Sequence, residues 1–186
     1  MTVKNSEISL AVPVIGFVAC SGTGKTTLLS QLIPLLRDSG LRIAVVKHTH
    51  HDFDIDKPGK DSYILRQAGA TQTLLASGKR TALIIEHEVP QEEVRLQDCL
   101  AHLTLDSLDL VLVEGFKHET YPKIELQRGS LEHPDGYPQD SHIIAVASDN
   151  PTPAQYQQPE GQPPTLDINN PRQICEFILQ FIKHQT

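Results

Sequence analysis

Short apolar runs alternate along the chain with stretches whose apolar residues recur every three to four positions. The runs at 13–19 (PVIGFVA), 41–48 (LRIAVVKH), 109–115 (DLVLVEG) and 141–148 (SHIIAVAS) are short and dense in branched residues. They predict buried strands. Between the first two, Leu28, Leu32, Leu35 and Leu36 repeat at helical spacing and predict a helix over 25–38. Pro34 lies inside that pattern and predicts a kink, and Gly40 supplies a stop. A short helix is expected over 61–68, with Asp61 as its cap and Gly69 near its end. The segments 71–77 and 81–87 read as strands joined by GKR, the spacing of a hairpin. A helix fits 90–104 and another fits 171–184. PKIELQR (122–128) alternates polar and apolar residues, the pattern of an edge or half-exposed strand. Residues 149–164 concentrate proline and glutamine and read as a surface excursion, and the first 12 residues read as a loose lead-in.

Strands alternating with helices predict an α/β layered sheet, mostly parallel, flanked by helices, with a small extra hairpin or edge-strand element. The whole chain, 1–186, reads as a single domain. Ligands of such sheets bind beyond the carboxyl ends of the strands. The segments leaving residues 19, 48, 114 and 147 are therefore expected at one edge, with Asp109 at the opposite end of its strand.

Composition narrows the picture. The 186 residues are 39% hydrophobic, enough for a core, and carry a net charge of −7. An acidic chain without a basic stripe is a poor nucleic-acid binder. No apolar run reaches the length of a membrane span, and no secretory signal is visible at the N-terminus. Three distant cysteines, Cys20, Cys99 and Cys175, form no disulfide framework, which fits a reducing, cytoplasmic setting.

The chemistry gathers in ACSGTGKTTL, residues 19–28. Gly22 and Gly24 relax the backbone so that successive N–H groups can face an anion at a helix start. Lys25 supplies charge for the terminal phosphates, and Thr26 a hydroxyl for Mg²⁺. The pattern is that of a phosphate loop, with Ala19 where the strict form has glycine, so Ser21, Gly22, Thr23, Gly24, Lys25, Thr26 and Thr27 are candidate nucleotide contacts. The sheet then reads as P-loop NTPase-like. Glu114, followed by Gly115, ends a buried strand and is the candidate carboxylate for Mg²⁺. Lys25 and Glu114 are the candidate catalytic pair, and Thr26 and Glu114 the candidate metal ligands.

KHTHHDFDIDKPGKDS (47–62) holds His48, His50 and His51, then Asp52, Asp54 and Asp56 at alternating positions. Three readings stand: a metal cluster, a switch or substrate loop at the site edge, and a solvated loop. The spacing matches no structural zinc site, and the glycine and distal glutamate of a calcium loop are misplaced. Asp149 follows a predicted strand; a carboxylate there could accept from N1–H and N2–H₂ of guanine. Against this, a full N-K-x-D signature is absent, and an aspartate before Asn150-Pro151 also suits a turn.

The blocks ACSGTGKTTLL, VKHTHHDFDIDKPGKDSY, LRQAGA, LDLVLVEGFKHE, PKIEL and HIIAVASDNP together resemble the molybdopterin-guanine dinucleotide biosynthesis protein B family. The resemblance spans residues 14 to about 151. It implies a GTP-binding adapter with weak GTPase activity that forms homodimers and assists a nucleotidyltransferase attaching GMP to molybdopterin. Carried across, it places Gly22 through Thr27 on the phosphates, and Glu114 and Gly115 toward Mg²⁺ and the γ-phosphate. The segments KHTHH, which holds His48, Thr49 and His50, and DKPGKDS would lie beside the nucleotide or the pterin. Two other functions fit parts of the chain: a small-molecule kinase, from the phosphate loop, and a metal-delivery GTPase, from the histidines. Hydrolysis is expected to be slow, because neither Arg66 nor Arg80 is placed at the γ-phosphate by the sequence.

Overall fold

The computed structural model describes residues 12–49, 53–87, 89, 93–129, 138–150 and 161–185. In chain order the elements are β1 (Val14–Val18), α1 (Lys25–Asp38), β2 (Ile43–Lys47), α2 (Asp61–Gln67), β3 (Gln72–Ala76), β4 (Thr81–Ile85), α3 (Leu96–Leu100), β5 (Leu110–Glu114), β6 (Lys123–Gln127), β7 (Ile143–Ser148), β8 (Thr165–Asp167) and α4 (Pro171–Lys183). They fall into two compact units, one of Met1–His48 with Arg95–Thr186, the other of Thr49–Val94.

The larger unit is a six-stranded sheet in the order β2-β5-β1-β6-β7-β8, with every neighbouring pair parallel. Alternate residues of each strand feed opposite faces. On one face Ile15, Phe17, Leu112, Ile124 and Leu126 pack against Leu28, Leu32 and Leu36 of α1 and Ile174 and Ile178 of α4. On the other, Val14, Val46, Val111 and Val113 meet Leu96 and Leu100 of α3, with Phe116 and Tyr121.

α1 covers the 25–38 span expected from its leucines and continues through Pro34. Proline has no N–H to donate into the helix, but Leu32 and Leu36 on either side are fully buried. Packing of that stripe outweighs one lost backbone bond. The helix stops where expected: Gly40 takes φ 91, its N–H reaches Arg37 O at 2.9 Å, and Leu41 N–H reaches Leu36 O at 3.3 Å. Those two bonds form a Schellman closure that only a left-handed residue permits cheaply. α4 begins with Pro171 in its first turn and Asn170 as cap, whose side-chain oxygen accepts from Gln173 N–H at 3.2 Å.

Several sequence expectations are corrected. The strand over 122–128 is no edge: β6 lies between β1 and β7, and Lys123 through Leu126 are buried. Its polar alternation misled because two charges are inside. Lys123 is 1% exposed; its ammonium sits 2.6 Å from the Asp140 carboxylate and 5.1 Å over the Tyr121 ring, which offsets its desolvation. The helix expected over 90–104 is only Leu96–Leu100. Arg95 is extended at φ −92, ψ 139, and Glu119 Oε1 accepts from Leu96 N–H at 3.1 Å, which sets the start. Residues 90–92 lie outside those described. Asp61 falls inside the first turn of α2, and Lys60 takes the cap position. A short strand, β8, was not anticipated at the end of the proline-rich excursion, much of which also lies outside the described residues.

The smaller unit holds α2 and an antiparallel hairpin, β3 with β4, in the register Leu74↔Leu83. Arg66 is its centre. The guanidinium donates to Asp54 at 2.6 Å, Asp56 at 2.7 Å and Glu86 at 2.7 Å. Three carboxylates hold it ionised and raise its pKa, the Asp56 hydrogen bond most. The alternation of Asp54 and Asp56 is thus explained by an arginine clamp.

Gly16 is a point where packing demands glycine. A Cβ there would lie 2.6 Å from the Tyr121 ring, whose hydroxyl donates to Gly115 O at 2.8 Å. Burial pushes the phenol pKa up and keeps it a donor. Gly16→Ala is expected to lower stability by about 1–3 kcal/mol through overpacking. Urea denaturation checks this; an unchanged midpoint would show that Tyr121 moves aside freely.

Candidate functional site

The carboxyl ends of the central strands are aligned by register. Phe17 of β1 and Lys47 of β2 both pair with Glu114 of β5, and Gln127 of β6 pairs with Ser148 of β7. The exits after β1, β2, β5 and β7 therefore share one edge, as the sequence implied, and those of β6 and β8 join them. Asp109 lies at the other end, paired with Arg42 at 2.8 Å.

β1 leaves the sheet through Ala19, Cys20 and Ser21 into a loop closed on itself. Gly22 takes φ 81 and Gly24 φ 100, both left-handed, with open space where a side chain would be. Gly24 serves as the cap of α1 with no side-chain acceptor. The first-turn N–H groups of α1, which no intrahelical carbonyl can take, lie behind this loop. Thr23 turns inward, 1% exposed, and its hydroxyl donates to Cys20 O at 2.9 Å. Its N–H also donates to Cys20 O, at 3.4 Å, so Thr23 braces the loop from within. Ser21, Gly22, Thr26 and Thr27 are exposed.

Lys25 folds back: its ammonium donates to Ala19 O at 3.0 Å and Cys20 O at 3.2 Å. Burial lowers its pKa, and the Glu114 carboxylate partly opposes that. The ammonium is thereby held within the loop it would serve. Thr26 Oγ1 donates to Glu114 Oε1 at 3.1 Å and lies 3.3 Å from Oε2. A hydroxyl and a carboxylate side by side are hard oxygen donors of the kind that suit Mg²⁺. Lys47, at the end of β2, sits 3.2 Å from Glu114 Oε1. The sequence places Lys47 at the end of a strand, at the site edge; the parallel pairing of β2 and β5 adds its contact with the carboxylate.

Gly115 is required sterically. It has φ 104, and a Cβ there would meet the His48 Cβ at 2.8 Å. Phe116, a non-glycine residue, follows at φ 52, a conformation that costs about 1–2 kcal/mol. The His48 ring stacks on Phe116 with centroids 4.7 Å apart, and His48 N–H donates to Glu114 O at 2.9 Å. His48 therefore clamps the turn that follows Glu114. Thr49 begins the second unit. His50 lies outside the described residues, with His51 and Asp52. Among the described residues no group of His, Cys, Asp and Glu is arranged to hold a metal ion.

Asp149 follows β7, and its two carboxylate oxygens each accept from Gly129 N–H at 3.0 Å. Beside it stands a residue the sequence reading missed. Arg128 Nε donates to Thr23 O at 3.3 Å and Nη2 to Asn169 Oδ1 at 3.2 Å. The signal was the end of a strand, hidden because β6 was read as peripheral.

A parallel sheet whose central strand runs through a left-handed glycine loop into a helix defines the P-loop class of α/β fold. The family profile described as MobB, molybdopterin guanine dinucleotide synthesis protein B, matches residues 14–149, and the chain belongs to that family. It is 47% identical to the molybdopterin-guanine dinucleotide biosynthesis adapter protein of Escherichia coli over 94% of this chain and 95% of that one. It is 40% identical to the protein so named from Haemophilus influenzae, over 93% and 91% of the two chains. Among solved structures, a crystal structure of molybdopterin-guanine biosynthesis protein B superposes with a TM-score of 0.65 at 29% identity, covering 90% of this chain and 99% of that one. A MobB homologue from Bacillus stearothermophilus gives 0.64 at 25% identity, with 92% and 98% covered. No described helix is long and apolar enough to cross a membrane.

The Lys25–Glu114 relation has a checkable sign. Glu114→Gln removes the largest influence that opposes burial at Lys25, so its pKa is expected to fall further below 10.5. NMR titration of ¹³C-dimethylated lysines measures this; a rise would mean that another anion controls Lys25.

Proposed function

We propose that this chain is a GTP-binding adapter of molybdopterin-guanine dinucleotide biosynthesis, with slow GTPase activity, serving a nucleotidyltransferase that joins GMP to molybdopterin. One observation carries the nucleotide part of this reading: Gly22 and Gly24 are both left-handed in a loop that opens on the start of α1, with Lys25 and Thr26 next in line. Such a loop presents backbone N–H groups and the helix dipole to phosphate. Lys25 would leave the carbonyls of Ala19 and Cys20 for the terminal phosphates. Thr26 and Glu114 would hold Mg²⁺, whose charge would neutralise the β- and γ-phosphates. Lys47 now shares Glu114 and would be released toward the same anions.

What the site offers supports slow turnover. Arg66 is engaged by three carboxylates of its own unit. The described contacts of Arg128 are to Thr23 O and Asn169. A partner enzyme could complete the charge stabilisation, as trans-acting arginines do in other nucleotide hydrolases. The adapter role is supported by the names of the relatives; the nucleotidyltransferase rests on the family resemblance alone. Molybdopterin would be the second ligand, beside the segment after His48.

Guanine preference is assigned to Asp149. Each carboxylate oxygen has two acceptor sites, so the bond from Gly129 leaves capacity for N1–H and N2–H₂. A homodimer is the proposed assembly. Strand 122–128 cannot pair with its twin, since β6 has a neighbour on both edges. The hairpin offers another surface: Leu74 is 65% exposed, and its cross-strand partner Leu83 is 46% exposed. This pair is the surface proposed for the homodimer contact.

Calorimetric titration with GTP, GDP and ATP in Mg²⁺ tests the reading. Wild type should bind GTP, and Lys25→Ala should weaken it by about tenfold or more, the worth of a charge-assisted bond. Asp149→Ala should reduce the preference for GTP over ATP. Absence of nucleotide binding by folded wild type at millimolar ligand overturns the proposal. Sedimentation should show a dimer that Leu74→Glu dissociates; a monomeric wild type removes the assembly.

A further inference from the structure

We infer that Arg128 is a positioning residue that ties the phosphate loop to the far side of the same sheet edge, coupling the phosphate end of a bound nucleotide to its base end. The inference rests on the nucleotide-binding reading above. Its guanidinium makes two contacts with different segments. Nε donates to the carbonyl of Thr23, inside the phosphate loop, and Nη2 donates to Asn169, in the turn between β8 and α4. The two acceptors are far apart in the chain and belong to loops after β1 and β8, which are not neighbours in the sheet.

Each end of the bridge is itself braced. Thr23 is buried and bonded by its hydroxyl to Cys20 O at 2.9 Å. Asn169 N–H donates to Asp167 Oδ1 at 2.8 Å, and Asp167 N–H to Gln173 Oε1 at 2.8 Å. The next residue, Gly129, has φ 62 and is held through its N–H by Asp149. The backbone that carries Arg128 is thus anchored to the β7 exit, while its side chain spans β1 and β8 exits. A planar fork with several N–H donors can serve two carbonyl-type acceptors at once, which an ammonium on a flexible stem does poorly. A nucleotide in the phosphate loop extends its base along this edge, because ligands of such sheets lie beyond the carboxyl ends of the strands. The bridge keeps the loop at the spacing that a whole nucleotide requires, whereas a phosphate chain alone does not need that spacing.

The test compares two probes on the full chain by calorimetry: GTP with Mg²⁺, and inorganic tripolyphosphate with Mg²⁺. Arg128→Ala should weaken GTP by about tenfold while changing tripolyphosphate by less than about twofold. Arg128→Lys, which keeps the charge, should not rescue GTP. Asn169→Ala should weaken GTP in the same selective way, and the double variant should be no worse than Arg128→Ala alone, since both remove one bridge. Equal loss of both probes would make Arg128 a direct phosphate ligand and overturn the inference, as would rescue by lysine. Unchanged GTP binding in Arg128→Ala would also overturn it. If Arg128→Ala does not fold, the selectivity of Asn169→Ala decides. Should wild type bind neither probe, the nucleotide reading itself fails, an outcome distinct from all of these.

Discussion

The parallel register of β2, β5 and β1 is the constraint on which the site depends. Lys47, Glu114 and Phe17 occupy one level across three strands. That level places the Glu114 carboxylate beside Thr26 at the start of α1 and beside Lys47 at the end of β2. A slip of one residue in β5 would turn Glu114 to the opposite face and remove both contacts together. The register is guarded by burial: Leu110, Val111, Leu112 and Val113 are all fully buried, so a slip would also exchange the packing on both faces.

The turn after Glu114 shows how close packing serves that register. Gly115 is left-handed and touches His48, Phe116 is left-handed without being glycine, and Tyr121 fills the space over Gly16 and bonds to Gly115 O. These contacts lock the carboxyl end of β5 against β1 and β2. The strain at Phe116 is tolerated because its ring is buried and stacked on His48. His48, a candidate ligand contact in the sequence, also packs the turn through Phe116.

The two units differ in how they reach stability. The larger one has a two-sided apolar core, while the smaller is organised by a single guanidinium shared among Asp54, Asp56 and Glu86, with large apolar side chains left at its surface. A unit built in that way leaves Leu74 and Leu83 of its hairpin exposed.

Local pattern alone determined much of this protein. The leucine stripe of α1, the glycines of the phosphate loop, the hairpin spacing around GKR and the strand end at Glu114 were legible because each depends on neighbours within a few residues: helical period, left-handed turns, short connections. The buried charges of β6 were not legible, since Lys123 looks solvent-facing until Asp140, in the loop before the neighbouring strand β7, is brought to it. The short α3 depended on Glu119, more than twenty residues away. Arg128, Lys47 and the Asp54–Arg66–Glu86 clamp likewise acquire meaning only from partners distant in the chain. Sequence specifies which backbone shapes are cheap; which polar groups meet, and at what distance, is decided by strand order and register, because those are set by the collective burial of the core.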